Sequence, residues 1–305
     1  MTPTGNLSWL SAGGYVSDGG LETDLIFNRG IDLPEFASFP LVEDDRGRAV
    51  LRDYYDGYAD VARRAGAGLT LESPTWRANP DWGARVGYDA AALDRVNRTA
   101  IAFLDRLRES YADLEDVRII GAVGPRGDGY VARDRVDPDE AADYHRRQVE
   151  AFAAAGVDVV AAYTITTPEE GLGIARAARR AGVPVLVGFT VETDGRLPDG
   201  TPLRDAVALV EAEDAPDGFV VNCAHPTHIA PALEDGDWLR RIVQVNPNAS
   251  TQSHAELDDA EELDAGDLGL LTSSYDALRA RLPGLTVVGG CCGTDARHVA
   301  ALWGV

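Results

Sequence analysis

The sequence contains no lysine. All 28 of its Lys-or-Arg side chains are arginines, in a chain of 305 residues. Enzymes that act through a lysine Schiff base or a lysine nucleophile are therefore excluded, and so are those that bind pyridoxal phosphate through lysine. A P-loop is excluded as well, because the lysine that reaches the phosphates has no counterpart.

Sulfur-containing residues and long apolar runs are scarce too. The chain has three cysteines and one methionine, and an odd cysteine count argues against a fully paired disulfide framework. No apolar run approaches the roughly 18 to 20 residues of a transmembrane helix, and residues 1–14 lack the pattern of a signal peptide. The net charge of −22 disfavours nucleic acid and anionic membranes as partners. We expect a cytoplasmic protein.

Two kinds of segment alternate along the chain. Short runs rich in Val, Ile and Leu are typical of buried parallel strands, and longer segments show the periodicity of amphipathic helices. The predicted strands are 15–18, 68–72, 118–123, 157–163, 185–190, 218–222, 241–246 and 286–289. The predicted helices are 48–66, 89–111, 138–155, 168–181, 202–213, 228–240, 268–282 and 295–303.

Eight strands alternating with eight helices predict a (β/α)8 barrel of the TIM type. An open, doubly wound sheet is the alternative, but no GxGxxG fingerprint follows the first strand. No linker or low-complexity tract divides the chain, and the acidic stretch 256–267 fits a surface loop. We therefore expect one α/β domain over residues 1–305.

The three cysteines all follow predicted strands. Cys223 comes directly after the sixth strand, and Cys291 and Cys292 come after the eighth. Because the C-terminal ends of barrel strands lie on one face, with alternate strands about 10 Å apart, these thiols can converge. Three thiolates and one open position form a catalytic zinc arrangement, and soft thiolates select zinc over magnesium or calcium.

Two other interpretations of the cysteines stay open at this point. Free cysteines are often buried and inert. The adjacent Cys291 and Cys292 could instead form a strained vicinal disulfide.

The end of the first strand reads Asp18-Gly19-Gly20-Leu21-Glu22. Backbone N–H groups at two glycines can hold a carboxylate, and the Asp18 carboxylate can hold an ammonium group. Together they make half of a cradle for an amino acid. A glycine turn capped by an acidic residue is the alternative.

Several segments together resemble the homocysteine S-methyltransferase family. The most specific pair is Asn222-Cys223 and Gly289-Gly290-Cys291-Cys292-Gly293-Thr294. The other segments follow the family's order over nearly the whole chain: Asp18-Gly19-Gly20, Gly121-Ala122-Val123-Gly124-Pro125, Tyr144-His145-Arg146-Arg147-Gln148 before Ala155-Gly156-Val157-Asp158, and Phe189-Thr190 followed by Gly195, Leu197 and Gly200-Thr201-Pro202-Leu203.

The resemblance implies a (β/α)8 barrel that holds Zn²⁺ and binds homocysteine to the ion through sulfur. The thiolate would then attack a methyl group on a sulfonium, ammonium or folate donor. In this arrangement Asp18 faces the substrate amine, the backbone of Gly19 and Gly20 faces its carboxylate, and Asn222 supports the metal loop. The implied zinc ligands are Cys223, Cys291 and Cys292.

This sequence departs from the family pattern at three strand ends. Tyr163 stands where the family has a glutamate that grips the homocysteine amine. Asn246 stands where the seventh strand usually has tyrosine, and the end of the second strand, residues 71–79, carries more charge than expected. The departures bear on the acceptor more than on the metal.

Other side chains could complete the substrate site. Trp76 offers an aromatic face to a methylated cation, with plain packing as the alternative, and Arg77 suits a carboxylate. Glu72 and Glu192 are candidate replacements for the missing amine partner. Glu22, which follows the glycine pair, is a further candidate substrate-binding residue.

The histidines point to no metal motif of their own. No two of them stand at HExxH spacing. His225 and His228 flank Cys223 and could support it or supply a further ligand, whereas His145 and His298 fall within predicted helices and suit structural roles.

We interpret the chain as a zinc-dependent S-methyltransferase acting on homocysteine or a related thiol. The absence of a second domain favours a small donor, such as S-methylmethionine, S-adenosylmethionine or betaine, over a cobalamin-dependent arrangement. The alternative is a zinc–thiolate barrel that binds an amino-acid thiol or catalyses metal-assisted hydrolysis or lysis. Such an enzyme would need a general base beside the ion, for example His225 or Glu192.

Overall fold

The computed structural model describes residues 7–11, 13–133 and 136–305. Part of segment 1–14, where we expect no signal pattern, therefore lies outside the described residues. No helix in the described ranges is long and apolar enough to cross a membrane.

Eight parallel strands close into a barrel in chain order, which confirms the predicted (β/α)8 architecture. The ring closes where the first strand pairs with the eighth, with Tyr15 opposite Val287 and Val16 opposite Val288. The strands are β1 (Tyr15–Val16), β2 (Gly68–Glu72), β3 (Val117–Val123), β4 (Val159–Ile165), β5 (Val185–Phe189), β6 (Gly218–Asn222), β7 (Ile242–Asn246) and β8 (Val287–Val288).

Helices cover the outside of the barrel. Asp44, Asp89 and Asp137 each cap a helix by accepting a hydrogen bond from a first-turn N–H. The α-helices are α1 (Leu21–Thr23), α2 (Asp45–Ala65), α3 (Pro80–Arg85), α4 (Ala90–Ser110), α5 (Pro138–Ala155), α6 (Pro168–Ala181), α7 (Leu203–Asp214), α8 (Pro226–Ile229), α9 (His254–Asp258), α10 (Leu268–Arg279) and α11 (Ala296–Trp303).

The predicted helix over 228–240 is wrong. The chain forms the single turn α8 and then two separate 3₁₀ turns, Ala230–Ala232 and Asp237–Arg241. Pro231 has no N–H to continue the helical ladder, so a long helix cannot pass through it. The short helices α1, α3 and α9 were not predicted, and α9 occupies the start of the expected acidic loop.

The barrel interior changes from apolar to polar along the strands. At the N-terminal end, Trp9 packs edge-on against Tyr15 with ring centroids 4.8 Å apart. Aliphatic side chains from the six strands β3 to β8 fill the middle: Ile120, Val159, Leu186, Val220, Val243 and Val287. Near the C-terminal ends Glu72, Gln244 and Asn246 are joined by hydrogen bonds. This polar network at the C-terminal ends thus lies above an apolar layer of the barrel interior.

Candidate metal centre and substrate pocket

The three cysteines converge at the C-terminal end of the barrel. The Sγ atoms of Cys223, Cys291 and Cys292 all lie within 4.8 Å of one another, and all three thiols are free. Tetrahedral zinc with Zn–S bonds of about 2.3 Å requires sulfur atoms about 3.8 Å apart. In the part of the chain that the structure describes, this is the only group of metal-ligating side chains assembled this closely.

Backbone hydrogen bonds to the end of β7 hold both cysteine loops. The N–H of Cys223 donates to the carbonyl of Asn246 at 3.0 Å, and the N–H of Cys291 donates to that of Pro247 at 2.8 Å. Cys223 has a φ of +56°, a left-handed conformation that is strained for a residue with a side chain. The surrounding bonds therefore impose the direction in which this thiol points.

Gly20 allows the loop after β1 to lie against the loop after β8, and Gly290 allows the latter loop to fold closely on itself. A Cβ on Gly20 would lie 2.6 Å from the carbonyl oxygen of Cys291, and one on Gly290 would lie 2.1 Å from Oγ1 of Thr294. Neither distance is tolerable, so any larger residue would displace the loop that carries two of the thiols.

The thiols do not ionise equally. Hydrogen bonds from Cys291 and Cys292 lower the pKa of Cys223 well below its usual range. Sharing the proton with Cys223 raises the pKa of Cys291 well above that range. A thiolate at Cys223 is therefore supported by hydrogen bonds from both neighbouring thiols.

Tyr130, which the sequence reading missed, contacts this thiol. Its hydroxyl lies 3.1 Å from Sγ of Cys223, and its ring stacks on His254 with centroids 4.0 Å apart. His254 in turn lies 2.9 Å from the carbonyl of Cys223 through Nε2 and 2.8 Å from Glu192 through Nδ1. Burial lowers the pKa of His254, but these two hydrogen bonds outweigh burial and the net pKa is raised.

A cavity of about 250 Å³ opens in front of the thiols. All the predicted substrate-binding residues line it together with the three cysteines: Asp18, Gly19, Gly20, Glu22, Trp76, Arg77, Tyr163 and Asn222. Glu72 and Asn246 line it as well, whereas Glu192 does not and pairs with His254.

Glu72 stands at the centre of a polar network on the cavity wall. Its Oε1 accepts hydrogen bonds from Ser17 at 2.5 Å, from Gln244 at 2.9 Å and from Asn246 at 3.4 Å. Gln244 also donates to the hydroxyl of Tyr163 at 3.3 Å. The carbonyl oxygens of the Gln244 and Asn246 side chains are buried, and no residue that the structure describes donates a hydrogen bond to either.

This wall carries several acids and no basic partner of its own. Burial and the neighbouring charges of Glu72 and Glu22 raise the pKa of Asp18 well above its usual range. Burial also raises the pKa of Glu72, although its hydrogen bonds oppose the change. An ammonium group placed between Asp18 and Glu72 would relieve the repulsion, and Asn246 Oδ1 could accept one of its hydrogens.

The glycine pair offers fewer donors than the sequence suggests. The N–H of Gly20 already donates to the carbonyl of Thr294 at 3.1 Å. Among the described residues the N–H of Gly19 has no such bond, while its carbonyl accepts from the Tyr54 hydroxyl at 3.0 Å. Of the two glycines, Gly19 is therefore the one whose backbone N–H is available for a carboxylate.

Asn222 fixes the neighbouring end of β4. Its Oδ1 accepts from the N–H of Thr164 at 2.9 Å, and its Nδ2 donates to the Thr164 hydroxyl at 2.8 Å. The same Nδ2 lies 3.9 Å from Sγ of Cys291. Thr164 has a φ of +59°, so the Asn222 amide holds a strained residue beside the thiols.

The histidines flanking Cys223 do not join the thiol cluster. His225 caps α8, with Nδ1 2.7 Å from the Thr227 hydroxyl. Burial and the nearby His228 lower the pKa of His225 to about 4. His145 bonds to Glu170 behind the cavity at 2.9 Å, and His298 closes a capping box on α11, so both have structural contacts.

A parallel barrel with three convergent thiols beside an acidic cavity at its strand ends defines an enzyme of the TIM-barrel class with a thiolate metal-binding cluster. Residues 15–304 match the family model described as homocysteine S-methyltransferase, and the chain belongs to this family. It is accordingly a methyltransferase of the thiol-methylating kind.

Individual relatives resemble the chain over most of its length. It is 28% identical to the homocysteine S-methyltransferase of Escherichia coli (strain K12) over 304 residues, which cover 93% of each chain. It is 24% identical over 303 residues to homocysteine S-methyltransferase YbgG of Bacillus subtilis (strain 168), covering 93% of this chain and 91% of that protein. The fold matches a crystal structure of the E. coli homocysteine methyltransferase MmuM, metallated form, with a TM-score of 0.74, 23% identity and 98% coverage of each chain.

Proposed function

We propose that the chain is a zinc-dependent S-methyltransferase that moves a methyl group from a small sulfonium or ammonium donor to homocysteine or a related amino-acid thiol. The observation that carries the proposal is the convergence of three free thiols within 4.8 Å at the wall of a cavity. The same cavity presents acids suited to an amine, so a thiol and an ammonium group of one substrate can be held together.

The donor set of the cluster fits zinc. Cys223, Cys291 and Cys292 supply three soft sulfur ligands, and they leave one position open toward the cavity. Zinc held here would lower the pKa of an incoming thiol and keep it as a nucleophilic thiolate near neutral pH.

The chain's own residues would orient the acceptor. Asp18 and Glu72 would take the ammonium group, with Asn246 as a third acceptor, in place of the glutamate that Tyr163 replaces. The Gly19 N–H would donate to the carboxylate. Asn222 would hold the end of β4 and the Cys291 loop in fixed positions relative to each other. This is a positioning role, which affects the metal only through its ligands.

The charge of the cavity favours a cationic donor. Asp18, Glu22, Glu72, Asp128 and Asp258 line the cavity, and Arg77 is its one basic lining residue among those described. The sulfur or nitrogen of an onium donor carries a positive charge, which that atom loses when its methyl group is transferred. An acidic site therefore attracts the donor and holds the leaving group, whose onium charge is gone, less tightly. A polyanionic folate would meet repulsion from the same wall.

The compartment and partners follow from the same chemistry. Thiols that act as ligands must stay reduced, which suits a cytoplasmic location. The substrates would be a small thiol and a small methyl donor, with no role for nucleic acid or membrane.

The test combines metal analysis with a methylation screen. Purified protein is analysed for zinc by mass spectrometry, then incubated with homocysteine and, in separate reactions, S-methylmethionine, S-adenosylmethionine or betaine. About one zinc per chain and formation of methionine with one or more donors are expected. Zinc binding without methylation of homocysteine or any related thiol would instead favour the thiol-binding or hydrolytic alternative.

A further inference from the structure

Arg77 is the single basic side chain among the described residues that line the cavity. It lies in the loop after β2, and one guanidinium N–H donates to the carbonyl of Glu35. Burial of a cationic side chain costs hydration energy, and a partner of opposite charge normally compensates for that cost. The presence of Arg77 in this predominantly acidic pocket therefore calls for an explanation.

Among the described residues no carboxylate pairs with Arg77. There it makes no ion pair within 4.0 Å, and its Nε is buried without a hydrogen-bond partner from that part of the chain. In the described ranges every other arginine that is not exposed forms an ion pair: Arg48, Arg108, Arg118, Arg126, Arg176 and Arg241. Burial lowers the pKa of Arg77, and the more distant charges of Glu22, Asp128 and Glu35 only partly oppose this.

Aromatic rings hold the guanidinium in place. Its central carbon lies 3.7 Å from the ring centroid of Trp82, 5.2 Å from that of Trp76 and 5.5 Å from that of Phe36. Trp82 is itself anchored by a hydrogen bond from Nε1 to the carbonyl of Gly127 at 3.1 Å. A flat guanidinium stacked on indole keeps its N–H groups in the plane of its edge, from which the N–H groups not bonded to Glu35 can donate to a carboxylate.

Arg77 lies on the solvent side of the cavity, because it is only half-buried and bonds to the carbonyl of the exposed Glu35. The charges that act on it come from Glu22, Asp128, Glu35 and Arg85. The acids of the amine wall, Asp18 and Glu72, are not among its principal influences. Glu22 lines the same cavity, and its Oε1 accepts a hydrogen bond from the Ser38 hydroxyl at 2.6 Å. A donor must approach the acceptor sulfur from this solvent side, since the acceptor occupies the inner wall.

We propose that Arg77 binds the carboxylate of a zwitterionic methyl donor and thereby selects onium carboxylates over methyl donors that lack a carboxyl group. This inference rests on the proposed function. The donor's carboxylate would pair with Arg77, its onium centre would lie toward Glu22, and its methyl group would face the thiols. Transfer forms the new S–CH₃ bond as the donor's bond to that methyl breaks, and the bonding electrons leave on the donor's sulfur or nitrogen.

A matched pair of donors tests the proposal. Dimethylsulfonioacetate carries a carboxylate and trimethylsulfonium does not, while both offer homocysteine a methyl group on a sulfonium sulfur. Wild-type protein is expected to prefer the carboxylate donor. In Arg77→Gln the ratio of kcat/KM for the two donors should fall about 50-fold, as expected for the loss of charge-assisted hydrogen bonds, mainly through KM of the carboxylate donor.

Arg85→Gln is the control variant. Arg85 stacks on the same Trp82 ring at 4.5 Å but pairs with Glu35 and does not line the cavity. Its removal should leave the donor ratio at the wild-type value. Arg77→Lys keeps the charge without the paired geometry, and an intermediate ratio is expected; it also provides a second variant if Arg77→Gln fails to fold.

Three results would overturn the assignment in distinguishable ways. An unchanged donor ratio in folded, zinc-loaded Arg77→Gln rejects the role of Arg77 while the methyltransferase function stands. A rise in KM for homocysteine, with KM for both donors unaltered, assigns Arg77 to the acceptor's carboxylate instead. Failure of the wild-type protein to methylate a thiol with any donor rejects the proposed function itself, and this inference with it.

Discussion

The hydroxyl of Tyr130 lies 3.1 Å from Sγ of Cys223. This contact joins the loop after β3 to the thiol cluster, and it contributes to the low pKa of Cys223 after the larger contributions of the other two thiols. The ring is held independently by its stack on His254, so the hydroxyl can be removed without releasing the side chain.

Tyr130→Phe should therefore raise the pKa of Cys223 and weaken metal binding at low pH. A hydrogen bond to a ligand is worth about tenfold in metal affinity. Competition with a chromophoric chelator, across a series of pH values, measures the effect. Tyr88→Phe, which removes a hydroxyl bonded to Glu43 away from the site, serves as the control. Equal affinity in the Tyr130 variant and the wild type would show that the contact does not act on the metal site.

Removal of any one cysteine should abolish stoichiometric zinc. Cys223→Ala leaves two sulfur ligands and eliminates the thiol whose charge the others support. Zinc content should drop below about one tenth of the wild-type value, because two thiolates are fewer than the three protein ligands that a catalytic zinc site uses, and methyl transfer should disappear with it. Serine variants test whether an oxygen ligand can substitute. Full zinc occupancy in Cys223→Ala would refute the proposed ligand set.

Glu72→Gln should discriminate against acceptors that carry an amine. The substitution keeps the shape of the side chain but removes one of the two charges proposed to face the ammonium group. The ratio of kcat/KM for homocysteine to that for 4-mercaptobutyrate, its analogue without the amine, should fall about 30-fold, the equivalent of about 2 kcal/mol for a hydrogen bond between charged groups.

The matched control for Glu72→Gln is Glu262→Gln, which removes the same charge from an exposed position. It should leave the acceptor ratio unchanged. If Glu72→Gln also leaves the ratio unchanged, the amine is held elsewhere and Glu72 has only a structural role in its network with Ser17, Gln244 and Asn246.

The barrel and the thiol cluster were predictable because both follow from short segments of the sequence, the apolar runs that form the strands and the residues at their ends. Strands β2 and β6 begin and end where the Val, Ile and Leu runs do. Once the strand order is known, the barrel itself brings Cys223 to the cysteines after β8. The position of Glu72 at the same strand ends follows from the same reasoning.

The partners that come from loops could not be predicted in this way. Tyr130 and His254 lie in connections after β3 and β7, where no periodicity fixes the direction of the chain. Asn246 appeared only as a departure from a family pattern. The hydrogen bond from the N–H of Gly20 to Thr294 depends on the close packing of two loops that are distant in sequence. A Gly-Gly pair permits this packing but does not specify it.

Acid should destabilise the fold through Glu170, a buried carboxylate behind the cavity. Burial alone would raise the pKa of Glu170, but hydrogen bonds from His145 and from the N–H of Arg126 outweigh it and the net pKa is lowered. A carboxylate whose folded pKa lies below its unfolded value of about 4.3 adds stability above that pH, and the contribution is lost as the pH falls through the folded value.

Glu170→Ala should lower the free energy of unfolding at pH 7 by about 3 kcal/mol, because it leaves two buried donors unpaired. The difference from wild type should shrink as the pH falls below about 4. Chemical denaturation at several pH values measures it, and a difference that stays constant with pH would contradict the assignment of this acid-sensitive step to Glu170.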